Sequence, residues 1–242
     1  MNYFRIRHTL STKFLGHYPQ IKEVKHHCSV WDEPKFIERF HLEKINLEPI
    51  VSTPILYAKS KKTDLIEHLG IGFSYRLLVS GKLKNILEKY RKEGVQYFQC
   101  PIVHKGVEDK GYWIMNVYET NEEYIDYKES EIVLRSRKPE GGTKLSAVII
   151  SSIDEFNIGR AFHKKNNAFL FVERIALKEP IKDDFFTLIY IEGGIGYFVS
   201  EKLKQEIEEA GCTGIEFQPS HLTFNEWLAP GGEREKIYGK SG

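Results

Sequence analysis

Two stretches of the chain carry the apolar spacing of an amphipathic helix. Apolar residues recur three and four positions apart in both stretches: Leu83, Ile86, Leu87 and Tyr90 in the first, and Leu203, Ile207 and Ala210 in the second. This spacing predicts a helix with one buried stripe, and the intervening Lys and Glu residues predict a solvated opposite face.

The two stretches are copies of one another. Residues 79–97 and 199–217 align without a gap at an offset of 120 positions. Ser80 and Ser200 stand immediately before the predicted helices, where a serine satisfies free backbone amides and contributes about 1 kcal/mol. Gly94 and Gly214 follow the helices at matching positions, and Gly211 suits the end of the second helix. These are the residues that start and stop a helix, so we predict a structural role for all five.

Alternating apolar residues around each copy predict strands. They cover residues 55–58, 95–103 and 112–119 in the first part of the chain, and 145–152 and 167–177 in the second. The segment 63–69, TDLIEHL, predicts a short helix capped by Thr63 or Asp64. The expected fold class is therefore α+β, with two related halves, each made of mainly antiparallel strands and an amphipathic helix after a Ser N-cap.

The polar segment 120–145 contains KPEGGTK at positions 138–144, which is rich in turn-forming residues. We take it as the boundary between an N-terminal half, residues 1–140, and a C-terminal half, residues 141–242. The alternative is a single compact domain, which a chain of 242 residues also permits.

Charge and cysteine content narrow the classes of function. The formal net charge is +1, from 35 Lys and Arg against 34 Asp and Glu, so no global field would attract nucleic acid. Cys28, Cys100 and Cys212 lie far apart, which argues against a disulfide framework or a cysteine zinc site. Neither a signal peptide nor an apolar run long enough for a membrane span is visible. We expect a cytoplasmic protein with free thiols that binds neither nucleic acid nor membrane.

The short motifs that contain potentially reactive or metal-binding residues give little evidence for a catalytic or metal site. His26, His27 and Cys28 are possible ligand types, but adjacent residues point apart and no second ligand pair is well spaced. Ser80 and Ser200 lack the Gly-x-Ser-x-Gly turn of an exposed nucleophile. We therefore predict no catalytic, cofactor-binding or metal-binding residue.

Several segments, in order, resemble one family. They are TDLIEHLGIGFSYRLLVSGKLKNIL, VQYFQCPI, YWIMNVYETNEEYIDYKESEIV and DFFTLIYIEGGIGYFVSEKLKQEIEEAGCTGIEFQP. The shared pattern comprises a Ser-x-x-Leu-Lys helix start in both copies, an Asn-Val strand end, a following Asp and an Ala-Gly-x-x-Gly helix exit: Ser80, Leu83, Lys84, Ser200, Leu203, Lys204, Asn116, Val117, Asp126, Ala210, Gly211 and Gly214. The first copy lacks the Ala-Gly-x-x-Gly pattern at the end of its helix, where residues 89–94 read KYRKEG. Over residues 54–219 the chain resembles bacterial immunity proteins of polymorphic toxin systems, in the group that contains types eleven and forty-three.

This resemblance implies a function without catalysis: the protein would bind one cognate toxin and block it, and a nuclease toxin is an expectation by analogy. The alternatives are an enzyme whose site is assembled from distant residues such as His104, His163 and His221, and an adaptor that uses exposed aromatic residues.

For the partner-binding surface we predict two aromatic and acidic groups of residues, which would suit a basic toxin. They are Glu122, Glu123 and Tyr124, and Asn225, Glu226 and Trp227. The alternative is that Trp227 packs in the core and the glutamates are merely solvated.

Overall fold

The computed structural model describes residues 2–67 and 70–240. Within them, the strands up to the middle of the chain are β1 (Tyr3–His8), β2 (Ile21–Lys25), β3 (Thr53–Leu56), β4 (Leu65–Ile66), β5 (Leu77–Ser80), β6 (Val95–Gln99), β7 (Ile102–His104), β8 (Val107–Asp109) and β9 (Tyr112–Val117). The later strands are β10 (Glu131–Arg137), β11 (Thr143–Val148), β12 (Phe169–Arg174), β13 (Phe185–Ile191), β14 (Gly194–Ser200) and β15 (Ile215–Pro219).

The helices of the described residues are α1 (Thr12–Leu15), α2 (Gly81–Tyr90), α3 (Ile153–Lys164), α4 (Glu201–Glu209), α5 (Phe224–Trp227) and α6 (Glu233–Tyr238). Short 3-10 turns cover Ile37–Arg39 and Glu122–Tyr124. Mostly antiparallel sheets together with these helices place the protein in the α+β class, which confirms the predicted fold class.

The chain forms two compact units that are interleaved in sequence. The first unit contains Met1–Arg5, Thr120–Glu201 and Gln218–Ile237, and the second contains Ile6–Glu119, Lys202–Phe217 and Tyr238–Gly242. These units do not coincide with the sequence halves 1–140 and 141–242. The division of the chain into two halves at residue 140 stays a prediction.

The largest sheet has the strand order β11-β10-β12-β13-β14-β1-β15. Strands β10 to β14 lie within the first unit and pair antiparallel, except that β12 and β13 are parallel. Buried Leu170, Val172, Phe156 and Phe186 belong to the core cluster of this unit. Helix α3 packs on this face of the sheet, because a Cβ added at Gly159 would lie 3.1 Å from Leu170 Cδ2.

The second unit contains two four-stranded sheets, with strand orders β2-β3-β7-β8 and β4-β5-β9-β6. Its core includes Phe36, Phe73, Leu78 and Ile114, none of which is measurably exposed to solvent. Helices α2 and α4 meet in this unit, since Tyr90 Oη donates to Glu206 Oε2 over 2.5 Å. The predicted helical stripes are largely buried in both copies, although Ala210 at the end of the second stripe is exposed.

The repeat extends beyond the stretch that is visible by sequence identity. Leu65 of β4 pairs with Val79 of β5, and Phe185 of β13 pairs with Val199 of β14. Phe185 follows Leu65 by 120 positions, and Val199 follows Val79 by the same number. The two antiparallel strand pairs therefore have the same register. Each copy is therefore a unit of strand, strand, helix and strand.

An aspartate fixes the start of the helix in each copy. Ser80 Oγ donates to Asp64 Oδ1 over 2.6 Å, and Ser80 N donates to the Asp64 carbonyl over 2.7 Å. Ser200 makes the same two contacts with Asp184, at 2.5 Å and 2.9 Å. Each serine is thus held from the preceding strand pair while it begins its helix.

The fourth strand of the repeat comes from different parts of the chain. In the first copy β9 lies between β5 and β6, and in the second copy the N-terminal strand β1 lies between β14 and β15. Tyr112 opposes Ser80 and Tyr3 opposes Ser200. Both tyrosine hydroxyls donate to a backbone carbonyl upstream of the aspartate: Tyr112 to Thr63, one residue before Asp64, and Tyr3 to Ile181, three residues before Asp184. The N-terminus therefore completes the second copy.

Two predictions of secondary structure differ from the structure. The helix predicted for residues 63–69 is wrong, because Leu65–Ile66 forms strand β4, paired with β5; His68 and Leu69 lie outside the described residues. The strand predicted for 95–103 is two strands, β6 and β7, which belong to different sheets. The KPEGGTK segment is the turn of the β10–β11 hairpin, in which Lys138 N donates to the Gly142 carbonyl.

Candidate partner-binding surface

The predicted acidic turn, Glu122–Tyr124, serves partly to hold the sheet of the first unit. Glu122 Oε1 accepts from Ile189 N over 2.9 Å, and Oε2 accepts from Thr120 Oγ1 over 2.7 Å. Burial raises the pKa of the Glu122 carboxyl, and these hydrogen bonds act against that rise. Glu122 therefore contacts the protein's own strand β13, whereas Glu123 beside it is exposed.

Tyr124 is also engaged within the protein. Its hydroxyl donates to Asp183 Oδ2 over 2.6 Å, and its ring packs edge-on against Phe186 at 5.2 Å between centroids. Burial first, and then the hydrogen bond to Asp183, raises the pKa of Tyr124 to about 12. The phenol stays a neutral donor at physiological pH.

Glu226 belongs to a helix cap in the C-terminal group. Thr223 Oγ1 accepts from Glu226 N over 3.3 Å, and Glu226 Oε2 accepts from Thr223 N over 2.9 Å, which is a capping box at the start of α5. Arg174 Nη2 donates to Glu226 Oε1 over 2.6 Å, and Arg174 Nε donates to Glu131 over 2.9 Å. The hydrogen bond from Arg174, followed by that from Thr223 N, lowers the pKa of Glu226 to about 2.

Trp227 is 1% exposed and lies among the largest buried side chains, as the core alternative for this residue expected. In this conformation its ring does not reach the surface. Asn225 is exposed beside it. Of the six predicted partner-binding residues, Glu123 and Asn225 thus present the most open side chains.

A different surface is built by the β10–β11 hairpin and β12. Arg135 opposes Leu145 of β11 on one side and Phe169 of β12 on the other. Directly opposed residues project to the same face of a sheet, so these three side chains form one row, which we call the Arg135 row. Leu145 is 56% exposed and Phe169 is 39% exposed. The Arg135 guanidinium lies 5.0 Å from the ring centroid of buried Phe171.

Four cations lie along this hairpin. Arg135, Arg137, Lys138 and Lys144 are all exposed, and Glu140 is the acid of the turn. Strand β11 pairs with β10 on one side, and its other edge pairs with no strand of the described chain. Arg135 and Arg137 share the face of Leu145, whereas Lys144 opposes Ser136 and projects to the other face. The hairpin therefore presents a basic and apolar face beside an open strand edge, with Lys144 at that edge.

One comparison with known proteins bears on the whole chain. The sequence profile of the Immunity protein family (Imm11) matches residues 3–221, nearly the entire sequence. The chain belongs to this family. The resemblance inferred from the repeat segments is thereby confirmed. No curated protein matches the Imm11 chain in sequence.

The glycines after the helices of this Imm11 protein differ in their surroundings. Gly214 has a φ of +86°, and an added Cβ would lie 2.3 Å from the Leu65 carbonyl oxygen. Gly211 has a φ of +63°, and an added Cβ would meet nothing within 4 Å. Gly214 is thus required both by backbone conformation and by close packing, and Gly211 by conformation alone.

A cavity of about 200 Å³ lies in the second unit, lined by residues including Thr9, Phe14, Cys212 and Tyr238. Its volume is below the range of roughly 300–1,000 Å³ that is usual for small-molecule sites. Burial, with a further contribution from Asp64, raises the pKa of the Cys212 thiol to about 11. Cys212 is therefore a poor nucleophile at neutral pH.

The two histidines of the His26, His27 and Cys28 cluster form hydrogen bonds with side chains of the protein itself. His26 Nδ1 lies 2.8 Å from Ser52 Oγ, and His27 Nε2 lies 2.9 Å from Thr53 Oγ1. Across residues 2–67 and 70–240, no three His, Cys, Asp or Glu side chains form a group that could hold a metal ion. In the same ranges no helix has the length and apolar composition needed to cross a membrane.

Sequence reasoning missed helix α3 and the Arg135 row of the Imm11 protein. A signal for α3 was present: Ser152 accepts from Glu155 N over 3.2 Å, and a serine followed by glutamate three positions later is typical of a helix start. In sequence, Arg135, Arg137 and Lys138 lie beside turn-forming residues, a pattern that is typical of solvated loop charge. Their placement beside Leu145 and Phe169 depends on strand pairing, which a linear reading does not provide.

Proposed function

We propose that this protein neutralises a cognate bacterial toxin by direct protein–protein contact. The observation that carries the proposal is its membership in the Immunity protein family (Imm11) over residues 3–221. The family supports toxin immunity as the biological role. Our proposal adds that this immunity works by direct binding of the toxin.

Physical features of the chain support inhibition by contact. The repeated Asp–Ser pairs and the glycines after the helices are used to build the fold, as Asp64 with Ser80 and Asp184 with Ser200 illustrate. A protein that blocks a toxin needs an exposed surface of about 800 Å² on each partner and no chemistry of its own. We therefore propose a non-enzymatic inhibitor that acts in the cytoplasm, where a nuclease would be one class of target.

The test is co-expression of the full chain with the toxin encoded next to it, in a host without its own protection. Survival together with an isolated one-to-one complex is the expected result. Soluble chain that neither rescues the host nor binds the toxin in calorimetry would refute the proposal. Rescue without any detectable complex would refute direct contact and leave the immunity role to be explained by another mechanism.

A further inference from the structure

Exposed apolar side chains are concentrated in one part of the first unit. Leu145, Ile149, Ile158, Phe162 and Phe169 all lie within residues 145–169 and are between 39% and 96% exposed. Leu145 and Phe169 are the two of these residues that oppose the same residue, Arg135, on neighbouring strands of the described sheet. The Arg135 row is therefore a continuous surface of apolar, cationic and apolar side chains.

We propose that the Arg135 row and the open edge of β11 form the toxin-docking surface, and that its occupant is an extended acidic segment of the toxin. This inference rests on the proposed function. It specifies the part of the protein that makes contact and the chemistry of the partner.

Charge complementarity identifies the occupant. The four exposed cations of the hairpin outnumber its two acids, since Glu140 lies in the turn and Glu131 is bonded to Arg174. On the neighbouring strand β12, Glu173 is partly buried. A guanidinium such as Arg135 can bind a carboxylate through two parallel hydrogen bonds. Leu145 and Phe169 on either side of it can contact an apolar residue of the same segment.

The strand edge supplies the second component of recognition. An extended peptide that adds to a free edge gains main-chain hydrogen bonds, and the neighbouring side chains select its sequence. Strand β11 offers such an edge along Thr143–Val148. Residues two positions apart on such a segment point to the same face. An acidic and an apolar residue with this spacing would therefore both lie on the face of Arg135 and Leu145.

Two other occupants fit the charges less well. A second copy of the chain that paired through β11 would bring its own four cations against the same four, which is repulsive. Nucleic acid requires a basic stripe that follows many phosphates, whereas the chain as a whole carries a net charge of only +1. An acidic protein segment satisfies both the charge and the apolar row.

The test compares full-length variants for binding to the toxin domain of the adjacent gene, by calorimetry and by association kinetics. Arg135→Glu with Arg137→Glu reverses the cation of the Arg135 row and a second cation on the same face of the hairpin. Because Arg135 also stacks on Phe171, a second variant, Arg137→Glu with Lys144→Glu, leaves that contact intact. The matched control is Lys128→Glu with Lys182→Glu, which changes the charge equally at two exposed positions outside the hairpin.

We expect the first variant to raise the Kd roughly 100-fold and the second about 10-fold, because like charges then face each other, whereas the control stays within about 2-fold. The association rate of the wild-type protein should fall as salt increases. Thermal unfolding of each variant confirms that it is folded.

Several results would overturn the inference. Wild-type protein that binds the toxin while both hairpin variants bind equally well would exclude this surface and leave the proposed function standing. Wild-type protein that does not bind the toxin would refute the proposed function, and the docking surface with it. A hairpin that binds a single-stranded RNA oligomer but does not affect toxin binding would reassign the surface. Sedimentation showing a wild-type dimer that Arg137→Glu with Lys144→Glu separates would do the same.

Discussion

Replacement of Asp64 by alanine tests whether one carboxylate holds the repeat together. In the second unit this side chain accepts from Ser80 Oγ at 2.6 Å, from Thr213 N at 2.8 Å and from Thr213 Oγ1 at 3.2 Å. Lys82 Nζ lies 3.2 Å from the same carboxylate, whose side chain is only 12% exposed. Asp64 thus connects the start of α2 in the first copy with the loop that follows α4 in the second.

The expected loss of stability follows from these contacts. A hydrogen bond to a charged acceptor contributes about 1.5–3 kcal/mol, and a buried donor that loses its partner costs about 1–3 kcal/mol. The Ser80 hydroxyl can turn to another acceptor, and the half-exposed pair with Lys82 adds less than about 1 kcal/mol. We therefore expect Asp64→Ala to lower the free energy of unfolding by about 3 kcal/mol. At this chain length that corresponds to a fall in Tm of roughly 6–12 °C.

The assay is urea denaturation and scanning calorimetry of the variant, with Thr213→Val as its partner in a double-mutant cycle. Because Thr213 and Asp64 contact each other directly, the two effects should be non-additive by about 0.5–2 kcal/mol. Asp183→Ala is the matched control, since the carboxylate of exposed Asp183 accepts the Tyr124 hydroxyl. We expect that control to lose about 1 kcal/mol or less.

Two outcomes would refute this reasoning. A loss below about 1 kcal/mol for Asp64→Ala would mean that water replaces the carboxylate at little cost. Full additivity with Thr213→Val would mean that the contact between the two copies carries no energy of its own.

Three further predictions concern the same framework. Gly214→Ala should destabilise the protein far more than Gly211→Ala, because only the first places a Cβ against backbone; equal midpoints in urea would contradict this. The Arg174 contact lowers the pKa of Glu226 from 4.5 to about 2, so its contribution is present above about pH 4.5 and is lost as the pH falls towards 2. Glu226→Gln should therefore reduce stability near neutral pH by about 1 kcal/mol and flatten this acid dependence, and an unchanged acid limb would count against it. Deletion of residues 2–8 should abolish cooperative unfolding, because β1 lies inside the largest sheet; a soluble truncated chain with the wild-type Tm would show that β1 is dispensable.

Helices α2 and α4 could be predicted because their signals are local. The stripe that begins at Leu83, the Ser80 cap and the glycine at position 94 lie within one short stretch, and the structure forms a helix there. Strand β4 could not be predicted in the same way. The seven residues of TDLIEHL fit a helix by composition, and only pairing with β5 makes Leu65–Ile66 a strand.

The role of the N-terminal strand is a non-local property. β1 and β9 share a Tyr followed by an aromatic residue, Tyr3–Phe4 and Tyr112–Trp113. Two residues are too little signal to align strands more than 100 positions apart. Burial of Trp227 has the same origin, because its neighbours Asn225 and Glu226 are polar in sequence and only the packed structure decides which side of α5 faces the core.

The β10–β11 hairpin lies between the two copies of the repeat in sequence and belongs to neither of them. The first copy runs from Asp64 to β9 and the second from Asp184 to β15, whereas β10, β11 and α3 occupy residues 131–164 between them. The Asp–Ser pairs and the glycines after the helices constrain the copies, because a substitution there removes a cap, creates a clash or strains a backbone with positive φ. Arg135 stacks on Phe171, but the side chains of Arg137, Lys138 and Lys144 are exposed and carry no such cap or close contact with backbone. This surface can therefore change in sequence with less effect on the fold than the repeated helices can, which supports the docking site proposed on the hairpin.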